Sequence, residues 1–397
     1  MKHTDSLPEE RPFVLSSQQK IILITGVTIG LISLALGLSF DSTRTWINIL
    51  LNIFFLLCLG LGGCFYLSLQ GVLKASWITP FKKITEGLSL TVPITSLLLL
   101  TLILGIHSLY EWSHLEIVQK DSLLLEKAPY LNESFFSMRL ILLAIIWSVF
   151  SFLLQFFSKK LSSSESSVSS YGVVSAIFLV LFALTFSVAS FDLIMSLEPH
   201  WFSTIFAIYC FAGLFVSTTA IIVLFVIFLQ SKGSLSYFSK DHYHDLGKIL
   251  FGFSTFWAYI WFCQFILIWY SNIPEETLYY YIRWKEGWSF LFFLNLFLNW
   301  VIPFVLLLPR FSKRSPKILM VAAVILLIGR WFDLYLMVAP NVLKHHGHPS
   351  PAIGWIEIGI WLGALSLISF LVLFFISKKS LVPKEDPFFQ EALSLHQ

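Results

Sequence analysis

Residues 206–229 read FAIYCFAGLFVSTTAIIVLFVIFL and contain no charged side chain. As an α-helix, a stretch of this length rises about 36 Å, which exceeds the ~30 Å hydrocarbon core of a bilayer. Its neighbours extend the apolar run to residues 201–230. The stretch therefore predicts a helix that spans a membrane rather than a helix in the core of a soluble domain.

The composition of the whole chain agrees with this prediction. Of its 397 residues, 57% are hydrophobic and only 12% are charged, against roughly 25% charged in an average soluble domain, and the mean hydropathy is +0.80. So few polar groups cannot cover a globular surface, which excludes a soluble enzyme, a disordered chain and a disulfide scaffold. The net charge of +3 is spread over short loops and does not favour a nucleic-acid partner.

Ten apolar runs are long enough to cross a bilayer as helices. They are residues 21–39, 46–70, 87–110, 134–157, 171–195, 201–230, 246–270, 287–309, 318–339 and 353–377. The runs are continuous, whereas strands of a membrane barrel alternate in polarity, so the predicted fold is an all-α polytopic membrane protein. The first run is too long for the apolar part of a signal peptide, and no small-residue cleavage site follows it.

The loops set the orientation and the domain limits. The predicted inside segments hold 17 lysines and arginines and the outside loops hold 6, which places both termini in the cytoplasm. We expect a cytoplasmic segment over 1–20, a ten-helix transmembrane domain over 21–377 and a cytoplasmic tail over 378–397. The Ser-rich stretch 162–170 is typical of a flexible linker.

A short motif occurs twice in the same orientation. Phe191-Asp192-Leu193 is followed by Pro199, and Phe332-Asp333-Leu334 is followed by Pro340, at an offset of 141 residues. Four spans separate the two copies. The repeat predicts two four-helix bundles, spans two to five and six to nine, with spans one and ten outside them.

Ionisable residues near or inside the spans are the candidate functional groups, because a charge at membrane depth costs at least ~2.5 kcal/mol. Towards the outer side they are His107, Arg139, Asp192, Glu198, His200, Arg330, Asp333 and Glu357, and towards the inner side Glu86, Asp245 and Lys248.

Each of these groups also has a structural interpretation. Arg330 and Asp333 lie three residues apart and could neutralise one another. Glu198 could cap span six, with Pro199 in its first turn. Asp192 and Glu357 could reach headgroup water. The inner groups could be helix caps or dipole partners.

The sequence predicts no metal site and no haem. A membrane haem needs two axial ligands, usually histidines, at matched depths, but only His107 lies within a span and His200 lies at a span start. The loop Lys344-His345-His346-Gly347-His348 has no cysteine or carboxylate beside it. The four cysteines form no CxxC pair. Most tryptophan, tyrosine and phenylalanine side chains are expected to face lipid or the membrane interface.

Several longer motifs, taken together, resemble one known family. They are SFDLIMSLEPHWFS at 190–203, continuing through Tyr209 to Ala212-Gly213; HSLY at 107–110; HDLGK at 244–248 with GFSTFWAY at 252–259; WY at 269–270 with NIPEET at 272–277; and GRW at 329–331 with DLY at 333–335. This set resembles the F subunit of bacterial alternative complex III, a quinol:electron-acceptor oxidoreductase, and covers spans three to nine.

The resemblance implies a polysulfide-reductase-type (NrfD-like) subunit of the bacterial inner membrane. Such a subunit carries no haem or iron–sulfur centre and is not catalytic alone, and a menaquinone or ubiquinone is the small molecule it would bind. The implied partners are a homologous NrfD-like C subunit with the quinol site, an iron–sulfur and molybdopterin-like B subunit, haem c subunits, small membrane subunits and a terminal oxidase.

Three functions are consistent with the sequence. In the first, the chain supports proton translocation in the respiratory chain. Asp192, Glu198, His200, Asp333 and Glu357 would relay protons, Arg139 and Arg330 would keep acids ionised, and His107 would contact a quinone. Glu86, Asp245 and Lys248 would line an inner half-channel. In the second, the chain is a structural scaffold of the complex. In the third it is a secondary transporter, which the isolated positions of Pro93 and Pro303 disfavour.

Overall fold

The computed structural model describes residues 12–162, 164–285, 287–348, 350–377 and 380–394. These residues form helices and loops, and no strand occurs among them. The predicted cytoplasmic segments 1–20 and 378–397 lie partly outside the described residues. The prediction of an all-α polytopic membrane protein is confirmed, because ten helices in the described chain are long and apolar enough to span a bilayer.

The ten spans follow the predicted order. They are Ser17–Phe40, Ser42–Leu73, Ser76–Leu109, Glu133–Lys159, Glu165–Leu197, Phe206–Ser231, Lys240–Ser271, Trp288–Leu307, Pro316–His345 and Trp355–Ile376. Two short helices lie in connections that the sequence analysis treated as loops or tail, Pro274–Trp284 and Phe389–Ser394.

Several predicted boundaries were wrong. Span three begins at Ser76 instead of residue 87. Span six begins at Phe206 instead of residue 201, so Pro199 lies outside the helix. Span nine continues through Pro340 to His345 instead of ending at residue 339. The serines after residue 164 belong to span five and not to a linker, because Ser164 caps that helix by accepting a hydrogen bond from the backbone of Ser167.

Two spans are irregular. Span three breaks at Leu90 and Thr91, just before Pro93, and span eight has a π-helical turn, Phe297–Val301, just before Pro303. The prolines are therefore associated with interruptions. At the four-span offset of the repeat, span three corresponds to span seven and not to span eight. The two interruptions thus do not form the matched pair that is typical of transporters.

Spans two and six form the centre of the molecule. In the most apolar 18-residue stretch of each span, 94% of the residues are buried in span two and 83% in span six. The corresponding fraction in the other eight spans is 17–61%. The two helices contact one another, and span two also contacts spans three, five, nine and ten. Because span two touches members of both predicted bundles, the division into two four-helix units stays a prediction.

Contacts near the helix ends distinguish the two faces of the helix bundle. The backbone N–H of Leu15 donates to the hydroxyl of Ser377 at 3.2 Å, which joins the start of span one to the end of span ten. We call this end the terminal face and the opposite end the distal face. Hydrogen bonds from Arg44 to Glu357 and from Arg283 to Glu198 lie towards the distal face.

Spans one and ten pack unusually close together. A Cβ atom built on Gly30 would lie 2.5 Å from the Cα of Gly363. Small residues at such crossings let the backbones of membrane helices approach, and dispersion contacts then hold the helices together. This crossing is the main attachment of span one, most of which faces away from the rest of the protein.

We expect Gly30→Ala to lower the free energy of unfolding by about 1–3 kcal/mol, because the added methyl group meets backbone that cannot rotate away. Gly252→Ala is the matched control, since a Cβ on Gly252 meets nothing within 4 Å. That substitution should raise stability by up to about 1 kcal/mol through helix propensity. Thermal unfolding in detergent measures both. A Gly30→Ala protein as stable as Gly252→Ala would contradict the close crossing.

Candidate functional site: a distal network of buried ion pairs

Among the residues that the structure describes, four carboxylates are buried in the distal half, and each is paired with an arginine. The pairs are Asp192–Arg139 at 2.6 Å, Glu198–Arg283 at 2.6 Å, Glu357–Arg44 at 2.7 Å, and Asp333–Arg330. The carboxylate side chains are at most 9% exposed. Each arginine supplies the opposite charge that a carboxylate needs in a medium of low dielectric constant.

Asp333 is the best-connected acid. Its carboxylate accepts hydrogen bonds from the hydroxyl of Tyr209 in span six, the indole of Trp257 in span seven at 3.1 Å, and the amide of Asn295 in span eight at 3.0 Å. Arg330, one turn earlier in span nine, is the fourth residue that donates to this carboxylate. The predicted pairing of Arg330 with Asp333 is confirmed, but the carboxylate also joins all four helices of the predicted second bundle.

The position of Asp333 is deeper than the sequence indicated. Since span nine ends at His345, Asp333 lies 12 residues or ~18 Å from the distal end of the helix. It is 1% exposed, as is Arg330. The arginine fits there because Gly213 of span six leaves the space, and a Cβ at Gly213 would lie 2.2 Å from the guanidinium carbon.

A small cavity lies beside Asp333, between this residue and Arg283. It has a volume of about 20 Å³, and Tyr209, Gln264, Tyr280, Arg283 and Asp333 are among the residues that line it. This space and these donors and acceptors suffice for one water molecule. The Gln264 amide donates to the Tyr280 hydroxyl at 3.3 Å, which continues the polar lining.

Glu198 and Arg283 form the distal end of the network. The Arg283 guanidinium also donates to the backbone oxygens of Leu336 at 2.8 Å and Tyr279 at 2.7 Å, and its carbon lies 3.4 Å from the centre of the Tyr279 ring. Burial, the largest single cause, lowers the pKa of Arg283, but the charge and hydrogen bond of Glu198 together with Tyr279 and Tyr280 outweigh it, so the pKa is raised. The expectation that Glu198 caps span six was wrong, because that helix begins eight residues later.

Arg283 was missed because it was assigned to an outside loop. It lies in the helix Pro274–Trp284, whose first turn has Pro274 at its start and two glutamates. Proline and acidic residues at that position are a helix signal. The signal was present in the sequence, but it does not show that the helix packs against spans seven, eight and nine.

Asp192 occupies a second site on the same face. Arg139 donates to its carboxylate at 2.6 Å, and the Tyr130 hydroxyl donates at 3.0 Å. Asp192 is fully buried, so the expectation that it reaches headgroup water was wrong. Burial, aided by the charge of Asp192, raises the pKa of Tyr130 to about 12. The phenol therefore stays a hydrogen-bond donor at physiological pH.

Glu357 is buried as well, and it does not reach headgroup water. It accepts from Arg44 at 2.7 and 3.1 Å, from the Asn48 amide at 3.1 Å, and from the backbone of Gly354 at 2.7 Å. Arg44 was counted as a loop residue. The pair joins the start of span two to the start of span ten.

The two candidate histidines lie at the surface. The His200 ring nitrogen is 2.6 Å from Asp121, with 48% of its side chain exposed. This hydrogen bond is the main cause that lowers the pKa of Asp121. His107, the quinone-binding candidate, is 63% exposed in its side chain and contacts Glu133 at 3.4 Å. His107 lies in the last turn of span three, as predicted, and its side chain is exposed at the surface of the chain.

The terminal half has its own ion pairs. Glu86 is buried and contacts Lys83 at 2.9 Å and the hydroxyl of Ser158 at 2.8 Å, so it links spans three and four instead of only capping a helix. Asp245 pairs with Lys248 at 2.8 Å.

The sequence analysis missed a further pair in this half. The amine of Lys82 donates to Asp386 of the tail at 2.7 Å, and both side chains are 3% exposed. Nothing in the polar sequence of the tail predicts that it folds back over the terminal face.

Aromatic side chains are more often internal than predicted. Many surround the distal network, and six tryptophans are at most 5% exposed: Trp112, Trp147, Trp201, Trp257, Trp288 and Trp331. Trp201 stacks on Tyr279 at 4.0 Å, directly beside Arg283. These rings exclude lipid and water from the ion pairs, which strengthens the electrostatic attraction within each pair.

No protein-family model matches the chain, and no curated protein matches it in sequence.

Proposed function

We propose that the chain is an integral membrane subunit of a quinol-oxidising complex of the alternative complex III type, which carries protons and holds no redox centre itself. Two lines of reasoning support this: the family resemblance of the motifs in spans three to nine, and the polar network between Asp333 and the distal face. In this proposal the terminal face is cytoplasmic, as the distribution of lysine and arginine predicts.

The observation that carries the proposal is a series of polar groups from membrane depth to the distal face. The Asn299 amide donates to the Asn295 side-chain oxygen at 2.6 Å, and Asn295 donates to Asp333. Asp333 and Arg283 both line the small cavity, and Arg283 contacts Glu198. Buried polar groups in a membrane protein commonly mark ion or proton pathways.

The chemistry of quinol oxidation gives this series a role. A quinol that becomes a quinone loses two electrons and two protons. The electrons pass to the iron–sulfur and haem centres of partner subunits, and the protons need a polar exit. In this proposal the Asp333 carboxylate accepts a proton and passes it to the polar groups of the cavity. Arg330 then pairs with the carboxylate that remains.

Tyr209 lines the cavity beside Asp333 and donates to its carboxylate, and it supplies a test that leaves the charges intact. We expect Tyr209→Phe, in the assembled complex in liposomes, to slow proton release at least roughly tenfold, since a positioned acid–base group contributes ~10²–10⁴-fold. A pH-sensitive dye measures the release during a pulse of quinol. Tyr66→Phe is the control, because its hydroxyl bonds Thr219 at 2.6 Å in an equally buried position.

The second candidate function is a scaffold, which the arginine partner of every distal acid favours. A paired carboxylate stabilises helix contacts even when it transfers no proton. If the Tyr209→Phe and Tyr66→Phe complexes both assemble and both release protons at the wild-type rate, the ion pairs hold the complex together and the proton-carrying function is wrong.

A further inference from the structure

An elongated groove lies on the other side of the molecule from the Asp333 network. It has a volume of about 390 Å³ and lies between spans one, two, three and ten. Its rim includes Leu31 and Leu104, which are 61% and 81% exposed, so the groove opens sideways towards lipid. Gly30 and Gly363, at the crossing of spans one and ten, form part of its lining.

One buried polar atom in the lining has no hydrogen-bond partner. Asn52 is 3% exposed and lines the groove. Its amide nitrogen donates to the backbone oxygen of Asn48 at 2.9 Å, which fixes the orientation of the amide group. The side-chain oxygen is left without a partner among the described residues. The hydroxyl of Thr101, which also lines the groove, donates to the backbone oxygen of Leu98 at 2.7 Å.

The surroundings of this oxygen restrict what can bind it. A buried water molecule needs two to four polar partners, and Asn52 supplies one. Asn52 lies ten residues, or ~15 Å, below the start of span two at Ser42. A charged lipid headgroup is too costly to desolvate at that depth. An uncharged hydroxyl group on an apolar chain satisfies both conditions, because it donates one hydrogen bond and leaves the groove otherwise dry.

We propose that this groove binds an uncharged lipid alcohol from the bilayer, with its hydroxyl group donating to the side-chain oxygen of Asn52. The apolar chain lies against spans one and ten, beside Gly30 and Gly363. The site is separate from the proton-carrying network, so it stands or falls independently of the proposed function.

The test uses two photoreactive probes on the full-length protein in nanodiscs. One is hexadecanol with a diazirine on its chain, and the other is its methyl ether, which cannot donate a hydrogen bond. We expect the alcohol to label peptides of spans one, two and ten about fivefold more than the ether, the ratio for one hydrogen bond of ~1 kcal/mol. Asn52→Leu should reduce labelling by the alcohol to the level of the ether.

Thr101→Val is the control, because its hydroxyl group already has a partner in the same groove. It should leave the labelling ratio unchanged. Asn52→Leu removes an unpartnered acceptor, so the variant should fold, and undiminished labelling by the ether will show that the groove is intact. Equal labelling of the wild-type protein by the alcohol and the ether would overturn the proposal. A labelling ratio that Asn52→Leu does not change would also overturn it. In either case the groove binds acyl chains without recognising a hydroxyl group.

Discussion

Replacing Asp333 with asparagine is expected to lower the free energy of unfolding by about 3–5 kcal/mol, the range for removing one partner of a buried ion pair. The variant leaves Arg330 charged in a site that is 1% exposed. Two of the three guanidinium nitrogens, Nε and Nη2, already have no hydrogen-bond partner among the described residues. Denaturant unfolding of the purified protein in detergent measures the loss.

Two companion variants show whether the uncompensated charge is the cause. Arg330→Met combined with Asp333→Leu removes both charges and should recover most of the lost stability, since apolar replacements of a buried pair are often neutral. Asp121→Asn removes a carboxylate from a surface pair with His200 and should change the stability little. An Asp333→Asn protein no less stable than Asp121→Asn would contradict a desolvated pair.

Arg283→Gln should have the second large effect, also about 3–5 kcal/mol, because it leaves Glu198 buried without a counter-charge. It also removes the donors to the backbone oxygens of Leu336 and Met337 that fasten the helix Pro274–Trp284 to span nine. We therefore expect faster hydrogen exchange throughout that helix, measured by mass spectrometry.

Arg283→Lys separates charge from geometry. An ammonium group restores the positive charge but lacks the planar fork of donors. In Arg283→Lys the rate of hydrogen exchange in the helix Pro274–Trp284 should therefore lie between the rates in the wild type and in Arg283→Gln. If Arg283→Gln leaves the exchange of Pro274–Trp284 unchanged, the helix is held by its aromatic contacts and not by the arginine.

The membrane spans could be predicted because lipid imposes a simple rule on sequence. Every backbone polar group at depth must be satisfied within a helix, so apolar length alone located all ten spans. Helix ends were less predictable, since they depend on local contacts. Pro340 was taken as an end because proline commonly stops helices, yet it lies inside span nine. Pro199 was placed in a helix and lies in a connection.

The acids of the site could be predicted, but half of their partners could not. Asp192, Asp333 and Glu357 were identifiable because a charge in an apolar run is unusual. Arg139 and Arg330 stood out for the same reason. Arg44 and Arg283 lie in polar sequence, where an arginine attracts no attention. Their burial results from loops and helices folding over the distal face, which only the tertiary structure shows.

The histidines illustrate the opposite error. His107 and His200 were chosen because histidine commonly carries protons and binds quinones, but the structure places both at the surface. Tyr209 and Gln264 have no charge and were not considered, although they line the cavity beside Asp333. A neutral polar residue inside a span costs little free energy. The sequence alone therefore does not distinguish one that lines a functional site from one that only contacts a neighbouring helix.

The most direct test of the proposed function measures proton release by the complex that carries Arg330→Met and Asp333→Leu. This double variant keeps the buried site neutral, so assembly should survive while the proton-accepting carboxylate is gone. In liposomes given quinol and an electron acceptor, we expect proton release at the distal face to slow at least roughly tenfold. Release at the wild-type rate from an assembled double variant would contradict a proton-carrying role for the Asp333 network.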